Sequence, residues 1–242
     1  VATAANARSV VLVGAGFIGL EAAAALRGRG LAVSIVAPEA VPMARILGGQ
    51  LGEFLADLHR GQGVAFHLGR KPARVEGHEL VLDDGSRVAA DLVIVGAGVM
   101  PRTQLAEAAG MAVDNGILVD ATLQTSIPGH YAAGDVARYP HGGAHARVEH
   151  WVHAQRQGQC VADNLLGDAR AFADVPFFWT RQYDLELRVT GHLAGWDELR
   201  IEGSPAERDF IARYYRWGTL VAAATAGRDL ANLELEAELA AA

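Results

Sequence analysis

Three glycines with the spacing Gly14-x-Gly16-x-x-Gly19 form the most informative chemical pattern in this sequence. They follow a short β-branched run, Val10–Val13, and precede a stretch of good helix formers, Leu20–Arg27. In that context the first glycine permits a tight turn, the second lets the backbone approach a pyrophosphate, and the third lets helix and strand pack closely. The free N–H groups at the helix N-terminus then favour phosphate. The pattern predicts a dinucleotide-binding turn, and the alternative is a glycine-rich turn without a ligand.

The residues that follow the second predicted strand bear on which dinucleotide such a turn would bind. NAD sites usually place an acid about 20 residues after the glycines, where it accepts a hydrogen bond from the ribose 2′-hydroxyl. That position is near Ala37, which cannot do this, and Glu39 lies just beyond it. An NADP site would need a cation there, and the first arginine of this stretch is Arg45. We therefore expect NAD, with NADP less favoured; the other interpretation of Glu39 is a solvated loop acid.

A second nucleotide-binding signature lies in the segment Thr125–Asp135. Its last five residues, Tyr131–Asp135, read YAAGD. We expect a small-residue strand that delivers Asp135 at a tight turn formed by Gly134, shortly before a helix. The carboxylate at such a turn can accept a hydrogen bond from a ribityl hydroxyl, and neighbouring backbone N–H groups can face a phosphate.

The elements that position these residues are predicted to alternate between strand and helix, as in an α/β fold. The run Val10–Val13, the helix after it and a strand at Ala32–Ala37 make one βαβ unit. An amphipathic helix over Leu51–Leu58 and a strand at Val64–Leu68 continue the alternation. Residues 73–95 interrupt it with an inserted β-meander, after which the buried strand Asp91–Val95 follows.

The remaining sequence predicts shorter elements and a small C-terminal α+β unit. A long helix is expected from about 148 to 166, which would put His150 and His153 one turn apart. The other predicted elements are a helix at Leu105–Ala109, strands at Ile117–Val119, Leu185–Thr190, Glu198–Glu202, Phe210–Tyr215 and Leu220–Ala224, and a helix at Asp229–Ala242.

Taken in order, these features resemble the FAD-dependent pyridine nucleotide oxidoreductases. The resemblance is carried by the glycine fingerprint, the inserted meander, the strand end Gly96-Ala97-Gly98 and the YAAGD segment. The segments Val148–Trp151 and Val175–Trp179 are similar to the ferredoxin reductase branch, which includes putidaredoxin and rubredoxin reductases. The segment Ala37–Pro42 resembles the apoptosis-inducing-factor-like subgroup.

The resemblance implies a Rossmann-like fold with three domains. These are an NAD(P)-binding domain with the inserted β-meander (1–101), the C-terminal half of an FAD-binding domain (102–168) and a C-terminal reductase α+β domain (169–242). The family binds FAD through a further glycine fingerprint upstream, whereas 13 residues precede Gly14 here. We therefore expect the C-terminal portion of a longer reductase that would not hold FAD tightly alone.

The resemblance also implies roles for individual residues. Glu21 would lie near the nicotinamide carboxamide, Phe17 and Ile18 would line the same crevice, and Gly98 would let the cofactor pass close to the backbone. Around the flavin ring it places four residues: Glu149, His150, Trp151 and Trp179. The alternatives are core packing for Phe17 and Ile18, a solvated helix acid for Glu21, and a domain-interface anchor for Trp179.

By resemblance, we expect an NAD(P)H-dependent flavoprotein reductase. NADH would give hydride to FAD, and electrons would pass singly to a ferredoxin-like or Rieske iron–sulfur protein. The cofactors would carry the redox chemistry, so no catalytic side chain is expected. Two alternatives stay open: a non-catalytic nucleotide-sensing or interaction protein of the apoptosis-inducing-factor type, and a disulfide reductase of the same superfamily.

Composition excludes several other classes of function. The net charge of −7 argues against nucleic acid or an anionic membrane surface as the main partner. The longest apolar run, Val10–Leu20, has 11 residues, too few for a membrane span. The one cysteine, Cys160, allows no intrachain disulfide, so we expect a buried structural thiol and a reducing compartment, the cytoplasm. His150 and His153 have a feasible ligand spacing but no third ligand, so we expect no metal site.

Overall fold

A four-stranded parallel sheet forms the first region of the protein, whose computed structural model describes residues 6–241. Its strands are β1 (Ser9–Val13), β2 (Ala32–Ala37), β3 (Ala65–Leu68) and β7 (Leu92–Val95), in the order β3-β2-β1-β7. The chain runs outward from β1 to β3 and then returns to the other side of β1. The strand order therefore reverses between β1 and β7, and the carboxyl ends of these two strands border a crevice.

Both faces of this sheet are covered, which explains why β1 is apolar from Val10 to Val13. Val10 and Leu12 point into a core shared with the helices α1 (Phe17–Arg27), α2 (Ala44–Leu47) and α3 (Gly49–Gly61). Val11 and Val13 point to the opposite face, into a smaller core with the meander. The predicted meander is confirmed as β4 (Pro72–Glu76), β5 (Glu79–Leu82) and β6 (Arg87–Ala89), with the turn where the sequence places it.

The middle region is built on a small three-stranded sheet and one long helix. It contains α4 (Gln104–Ala108), β8 (Ile117–Leu118), a 3-10 turn (Gly134–Val136), β9 (Ala137–His141), β10 (Ala144–Ala146) and α5 (Trp151–Leu165). The sheet order is β10-β9-β8. Cys160 is fully buried in the core of this region beside Leu123, Tyr139 and Phe172, as expected of a structural thiol.

Two expectations for the middle region are wrong. The small-residue segment before Gly134 is not a strand: Tyr131 makes one isolated bridge to Gln124, and the Ala132 N–H donates to the Leu123 carbonyl across a loop. The helix that follows begins at Trp151 because His150 is extended (φ −134°, ψ 137°), and the unpredicted hairpin β9–β10 lies between. His150 is therefore the N-cap of α5, where its carbonyl accepts from the Ala154 N–H at 2.9 Å, while His153 lies within the helix.

The C-terminal region is an antiparallel sheet of five strands followed by a helix. The strands are β11 (Phe177–Gln182), β12 (Leu185–Gly191), β13 (Glu198–Ser204), β14 (Asp209–Arg216) and β15 (Thr219–Ala226), in the order β11-β12-β15-β14-β13. The helix is α6 (Asp229–Ala241). Position 242, included in the predicted last helix, lies outside the described residues.

This sheet is packed directly on the first region. Leu187 and Val189 of β12 belong to the same core as Leu20 of α1 and Leu51 of α3. The buried Tyr214 hydroxyl donates to the Leu47 carbonyl at 3.1 Å, and Trp196 Nε1 donates to the Ile46 carbonyl at 3.0 Å. The two regions therefore share one apolar core with polar anchors on α2. None of the helices in residues 6–241 is long and apolar enough to cross a membrane.

Candidate functional site

The three fingerprint glycines meet different requirements at the end of β1. Gly14 has φ +111°, and a Cβ there would lie 2.3 Å from the Gly96 carbonyl oxygen; a Cβ on Gly19 would lie 2.2 Å from the Gly14 oxygen. Both therefore serve the close approach of α1, β1 and β7. Gly16 is different, because a Cβ there would meet no atom within 4 Å. It precedes α1 with no side-chain cap on the helix N-terminus, which leaves room and N–H groups for a phosphate.

The crevice continues along the loop that follows β7. Gly98 has φ +102° and open space where a side chain would stand. Residues 97–102 and Gln104 line an open cleft of about 500 Å³ there. Ile18, at the start of α1, is 70% exposed, so core packing does not account for it. A group bound at Gly16 would have apolar surface on this side.

Phe17 and Glu21 lie one helical turn apart on α1, and both contact β11. The Phe17 ring meets Phe178 edge to face at 5.0 Å, so Phe17 packs against β11, as the alternative interpretation of this residue expects. Half-buried Glu21 accepts a hydrogen bond from the Thr180 hydroxyl at 2.6 Å. This contact rules out the interpretation of Glu21 as a freely solvated acid. Sequence reasoning missed Thr180 and Phe178, which are 159 and 161 residues away along the chain from their partners.

The end of β2, where the sequence predicts the ribose position, lies beside an arginine that local sequence could not reveal. Ala37 is fully buried at the end of β2, and Glu39 is exposed. The segment after β3 runs beside them: the Gly69 N–H donates to the Glu39 carbonyl and the Arg70 N–H to the Ala37 carbonyl, both at 3.1 Å. The Arg70 guanidinium pairs with Asp84 at 3.0 Å. Arg70 is therefore hydrogen-bonded through its backbone to the end of β2, although Arg45 is the arginine closest to this position in sequence.

The second signature places Asp135 beside the start of α5. Gly134 has φ +78° and donates its N–H to the buried Gln157 side chain at 2.7 Å. Asp135 is exposed in the 3-10 turn, and its carbonyl accepts from Arg147 at 3.0 Å. Arg147 also pairs with Glu149 at 2.5 Å, which ties the turn to the residues before α5.

The residues expected around a flavin ring come together where α5 meets β11. His150 stacks on Phe178 with ring centroids 3.8 Å apart and planes 14° from parallel. Trp151 and Trp179 have ring centroids 6.2 Å apart, and both are exposed. Burial lowers the pKa of His150 to about 4, so the ring is neutral near pH 7. The result is an exposed aromatic surface, with Glu149 at its edge, that suits a flat apolar ring.

The other histidines of the middle region point elsewhere. His153 is fully buried against Tyr139 and Phe172, and burial lowers its pKa to about 4. His192, which directly follows β12 in the C-terminal region, stacks on His141 at 3.5 Å, and burial lowers its pKa to about 3. Within residues 6–241 no group of three or more His, Cys, Asp or Glu side chains is arranged to hold a metal ion.

Comparison with known families matches this architecture. Residues 2–158 match the family described as pyridine nucleotide-disulphide oxidoreductase, and residues 177–235 match the family described as reductase C-terminal. The chain belongs to the pyridine nucleotide-disulphide oxidoreductases. The C-terminal match and the relatives below place it in the ferredoxin reductase branch, which confirms the resemblance inferred from sequence.

Individual relatives agree in sequence and in structure. The ferredoxin–NAD(+) reductase component of the anthranilate 1,2-dioxygenase system of Burkholderia cepacia is 39% identical, over 92% of this chain and 57% of its own length. The crystal structure of the ferredoxin reductase for the CYP199A2 system of Rhodopseudomonas palustris matches at 37% identity and a TM-score of 0.92, covering 98% of this chain and 61% of that one. The covalent putidaredoxin reductase–putidaredoxin complex matches at 31% identity and a TM-score of 0.92, covering 96% and 58%. The chain thus spans somewhat more than half the length of these relatives.

Proposed function

We propose that this chain supplies the NADH-binding crevice and one wall of the flavin site of a reductase that delivers electrons to an iron–sulfur protein. The observation that carries the proposal is the open space at Gly16, at the reversal of strand order, next to the aromatic surface of His150, Trp151 and Trp179. Phe17 and Phe178 join the two places, since Phe178 contacts both Phe17 and His150.

The residues of α1 and of the loop after β7 bind the dinucleotide. Backbone N–H groups at the start of α1 bind the pyrophosphate in the space beside Gly16, with the helix dipole favouring its charge. Gly98, with no side chain, lets the nicotinamide half lie along the loop. Glu21, one turn into α1, accepts a hydrogen bond from the carboxamide, and exposed Ile18 covers the ring from water.

The residues present fit FAD as the second group. Asp135 is exposed at a tight turn and can accept from a ribityl hydroxyl, and the neutral His150 and the two tryptophans offer ring faces. FAD, when bound, accepts the hydride from NADH and passes the electrons on singly. The chain's part is to hold the two rings in contact and to exclude water, since no side chain needs to move a proton.

The names of the relatives support an iron–sulfur protein as the electron acceptor. One is a ferredoxin–NAD(+) reductase component, and another was crystallised in covalent complex with putidaredoxin. We therefore assign a ferredoxin-like or Rieske iron–sulfur protein as the partner.

Further parts of the proposal concern domains, dinucleotide preference and compartment. Residues 1–101, 102–168 and 169–242 form the NAD(P)-binding, partial FAD-binding and C-terminal domains. NADH is preferred to NADPH, because exposed Glu39 would repel a 2′-phosphate and Arg70 is engaged by Asp84. The single buried thiol suits the reducing cytoplasm.

NADH-dependent reduction of a ferredoxin-type iron–sulfur protein tests the proposal, with FAD supplied at a saturating concentration because we do not expect this chain to hold it tightly alone. We expect turnover that stops when NADH or FAD is left out. Tight NADH binding without electron transfer to the iron–sulfur protein or to an artificial acceptor would favour the nucleotide-sensing alternative. Failure to bind NADH would overturn the proposal.

A further inference from the structure

A chain of buried hydrogen bonds runs from Glu21 into the C-terminal sheet. The Thr180 hydroxyl contacts Glu21 Oε1 at 2.6 Å, and Gln182 Nε2 contacts the same hydroxyl at 3.3 Å. Gln182 Oε1 lies 2.9 Å from His59 Nε2, and the Tyr183 hydroxyl lies 3.0 Å from His59 Nδ1. Five side chains from α1, α3, β11 and the turn after β11 are thereby linked.

The interior members of this chain are as buried as any apolar residue in the protein. Thr180 is 1% exposed, and Gln182 and His59 are both 0% exposed. Burying a polar group is unfavourable unless it is hydrogen-bonded, and a fully bonded network rigidifies the core around it. Each of these side chains is hydrogen-bonded to another member of the network. The network therefore favours one arrangement of α1 relative to β11.

All the donors of this network point toward Glu21. Gln182 Oε1 can only accept, so His59 Nε2 carries the proton, and burial lowers the pKa of His59, which keeps Nδ1 free to accept from Tyr183. Gln182 Nε2 donates to Thr180, whose own proton then goes to the Glu21 carboxylate. Donors aligned in one direction polarise one another and strengthen the last bond.

This direction determines which part of Glu21 remains available. Oε1 is held by Thr180, so Oε2 is the oxygen left to accept from a ligand. Along α1 and β11, Phe17 contacts Phe178 and Glu21 contacts Thr180. The Glu21 carboxylate is thereby fixed about one helical turn from the open space at Gly16. If the pyrophosphate of a dinucleotide lies at Gly16 and the adenosine half points toward β2, the nicotinamide half lies on the side of Glu21.

We propose that Thr180, Gln182, His59 and Tyr183 are positioning residues that hold Glu21 in the orientation that binds the nicotinamide carboxamide. The proposal rests on the proposed function. It predicts that the C-terminal sheet acts on NADH affinity through the Thr180 hydroxyl, without touching the dinucleotide.

Replacing Thr180 by valine tests this, because valine keeps the shape and removes only the hydroxyl. A hydrogen bond to a charged group contributes enough that its loss should raise the Kd and KM for NADH about tenfold. The kcat with saturating NADH should change far less, because the reacting rings are positioned by other residues. The KM and the kcat are measured in the FAD-loaded protein. The Kd is obtained separately, without FAD, from the quenching of NADH fluorescence.

Two matched variants separate positioning from general damage. Thr180→Ser keeps the hydroxyl and should stay within about twofold of the unmodified protein. Thr190→Val makes the same substitution on β12, where the buried hydroxyl has no hydrogen-bond partner among the described residues, and should leave NADH binding unchanged. Nitrogen NMR of labelled histidine should show His59 as the neutral Nε2–H form.

The outcomes distinguish this proposal from the one it rests on. Unchanged NADH affinity in Thr180→Val, an equal loss in Thr180→Ser, or a His59 protonated on Nδ1 alone overturns the positioning role while the unmodified protein still binds NADH. An unmodified protein that binds no NADH overturns both.

Discussion

Gly14 and Gly16 stand two positions apart and are constrained for opposite reasons. At Gly14 a side chain would strike the Gly96 backbone, so glycine is required by the fold itself. At Gly16 the backbone is extended (φ −80°, ψ −177°), which any residue can adopt, and the space beside it is open. Glycine at position 16 therefore keeps clear a volume that the protein does not fill, which is what a ligand-binding position requires.

Replacing Gly16 by valine should abolish NADH binding and spare the fold. The extended backbone accepts any residue and a Cβ there meets no protein atom within 4 Å, so the free energy of unfolding should change by no more than about 1 kcal/mol. The affinity for NADH, measured by calorimetry, should fall by at least about tenfold. Gly19→Ala is the contrasting variant: its Cβ meets the Gly14 oxygen, and we expect destabilisation of about 1–3 kcal/mol. Unchanged NADH affinity in a folded Gly16→Val protein would refute the assignment of the pyrophosphate position.

We expect Asp84 to influence the dinucleotide preference through its ion pair with Arg70. The ion pair is partly exposed and therefore weak, so its removal frees Arg70 at little cost. Asp84→Asn keeps an acceptor for Ser86 and should increase NADPH affinity about threefold to fivefold with little effect on NADH. Arg70→Gln should lower NADPH affinity, and Arg74→Gln on β4, which removes a charge paired with Glu76, should not. The test is to measure the dissociation constants of NADH and NADPH at one ionic strength. Equal NADPH affinities in all variants would contradict the role of Arg70 and Asp84.

At the scale of elements, apolar periodicity predicted most strands and helices, and it failed where buried residues are polar. β1, β2 and the meander were predictable because every second residue enters one of two apolar cores. β11 was missed as a strand because its buried positions are Thr180 and Gln182, while its aromatic residues are more exposed. The contacts of Glu21 with Thr180 and of Ala37 with Arg70 join residues distant in sequence, so no local pattern could reveal them.

Three histidines whose pKa values are lowered by burial, at the start of α5, within α5 and just after β12, predict acid sensitivity. The folded-state pKa values of His150, His153 and His192 lie at about 4, about 4 and about 3, below the usual 6.5. Below about pH 6.5 the unfolded chain therefore binds protons that the folded chain does not, and the folded state loses stability as the pH falls. The free energy of unfolding in urea should be constant above about pH 7 and should fall by about 1–2 kcal/mol per histidine by pH 5.

A His153→Gln variant should show a smaller decrease in the free energy of unfolding between pH 6.5 and 5 than the unmodified protein. Carboxylates titrate mainly below this window, near pH 4 in the unfolded chain, so they do not obscure it. A free energy of unfolding that is flat from pH 7 to pH 5 would contradict the burial of these rings as neutral groups.

At the scale of the whole molecule, one core joins the parallel sheet to the C-terminal sheet. Phe210 and Tyr214 of β14 belong to the same cluster as Leu51 and Leu55 of α3. Such sharing predicts one cooperative unfolding transition for both regions. It also explains how β11 can affect a site at the end of β1.

Tyr214→Phe should lower the free energy of unfolding by about 1 kcal/mol, because the Leu47 carbonyl loses its donor. Tryptophan fluorescence comes from Trp179, Trp196 and Trp217 of the C-terminal region and from Trp151 of α5. This fluorescence and far-ultraviolet circular dichroism should show coincident urea transitions in both proteins. Tyr215→Phe on the same strand, where the side chain is partly exposed, serves as the control. Two separate transitions in the unmodified protein would contradict the shared core.

The central claim is that the crevice between β1 and β7 binds NADH so that its hydride reaches a flavin held against His150, Trp151 and Trp179. The most direct measurement is anaerobic mixing of the FAD-loaded protein with NADH while the visible absorbance of the flavin is followed. The account predicts rapid bleaching in the unmodified protein and none on the same timescale in Gly16→Val with equal bound flavin. No bleaching in the unmodified protein, or equal bleaching in both, would contradict it.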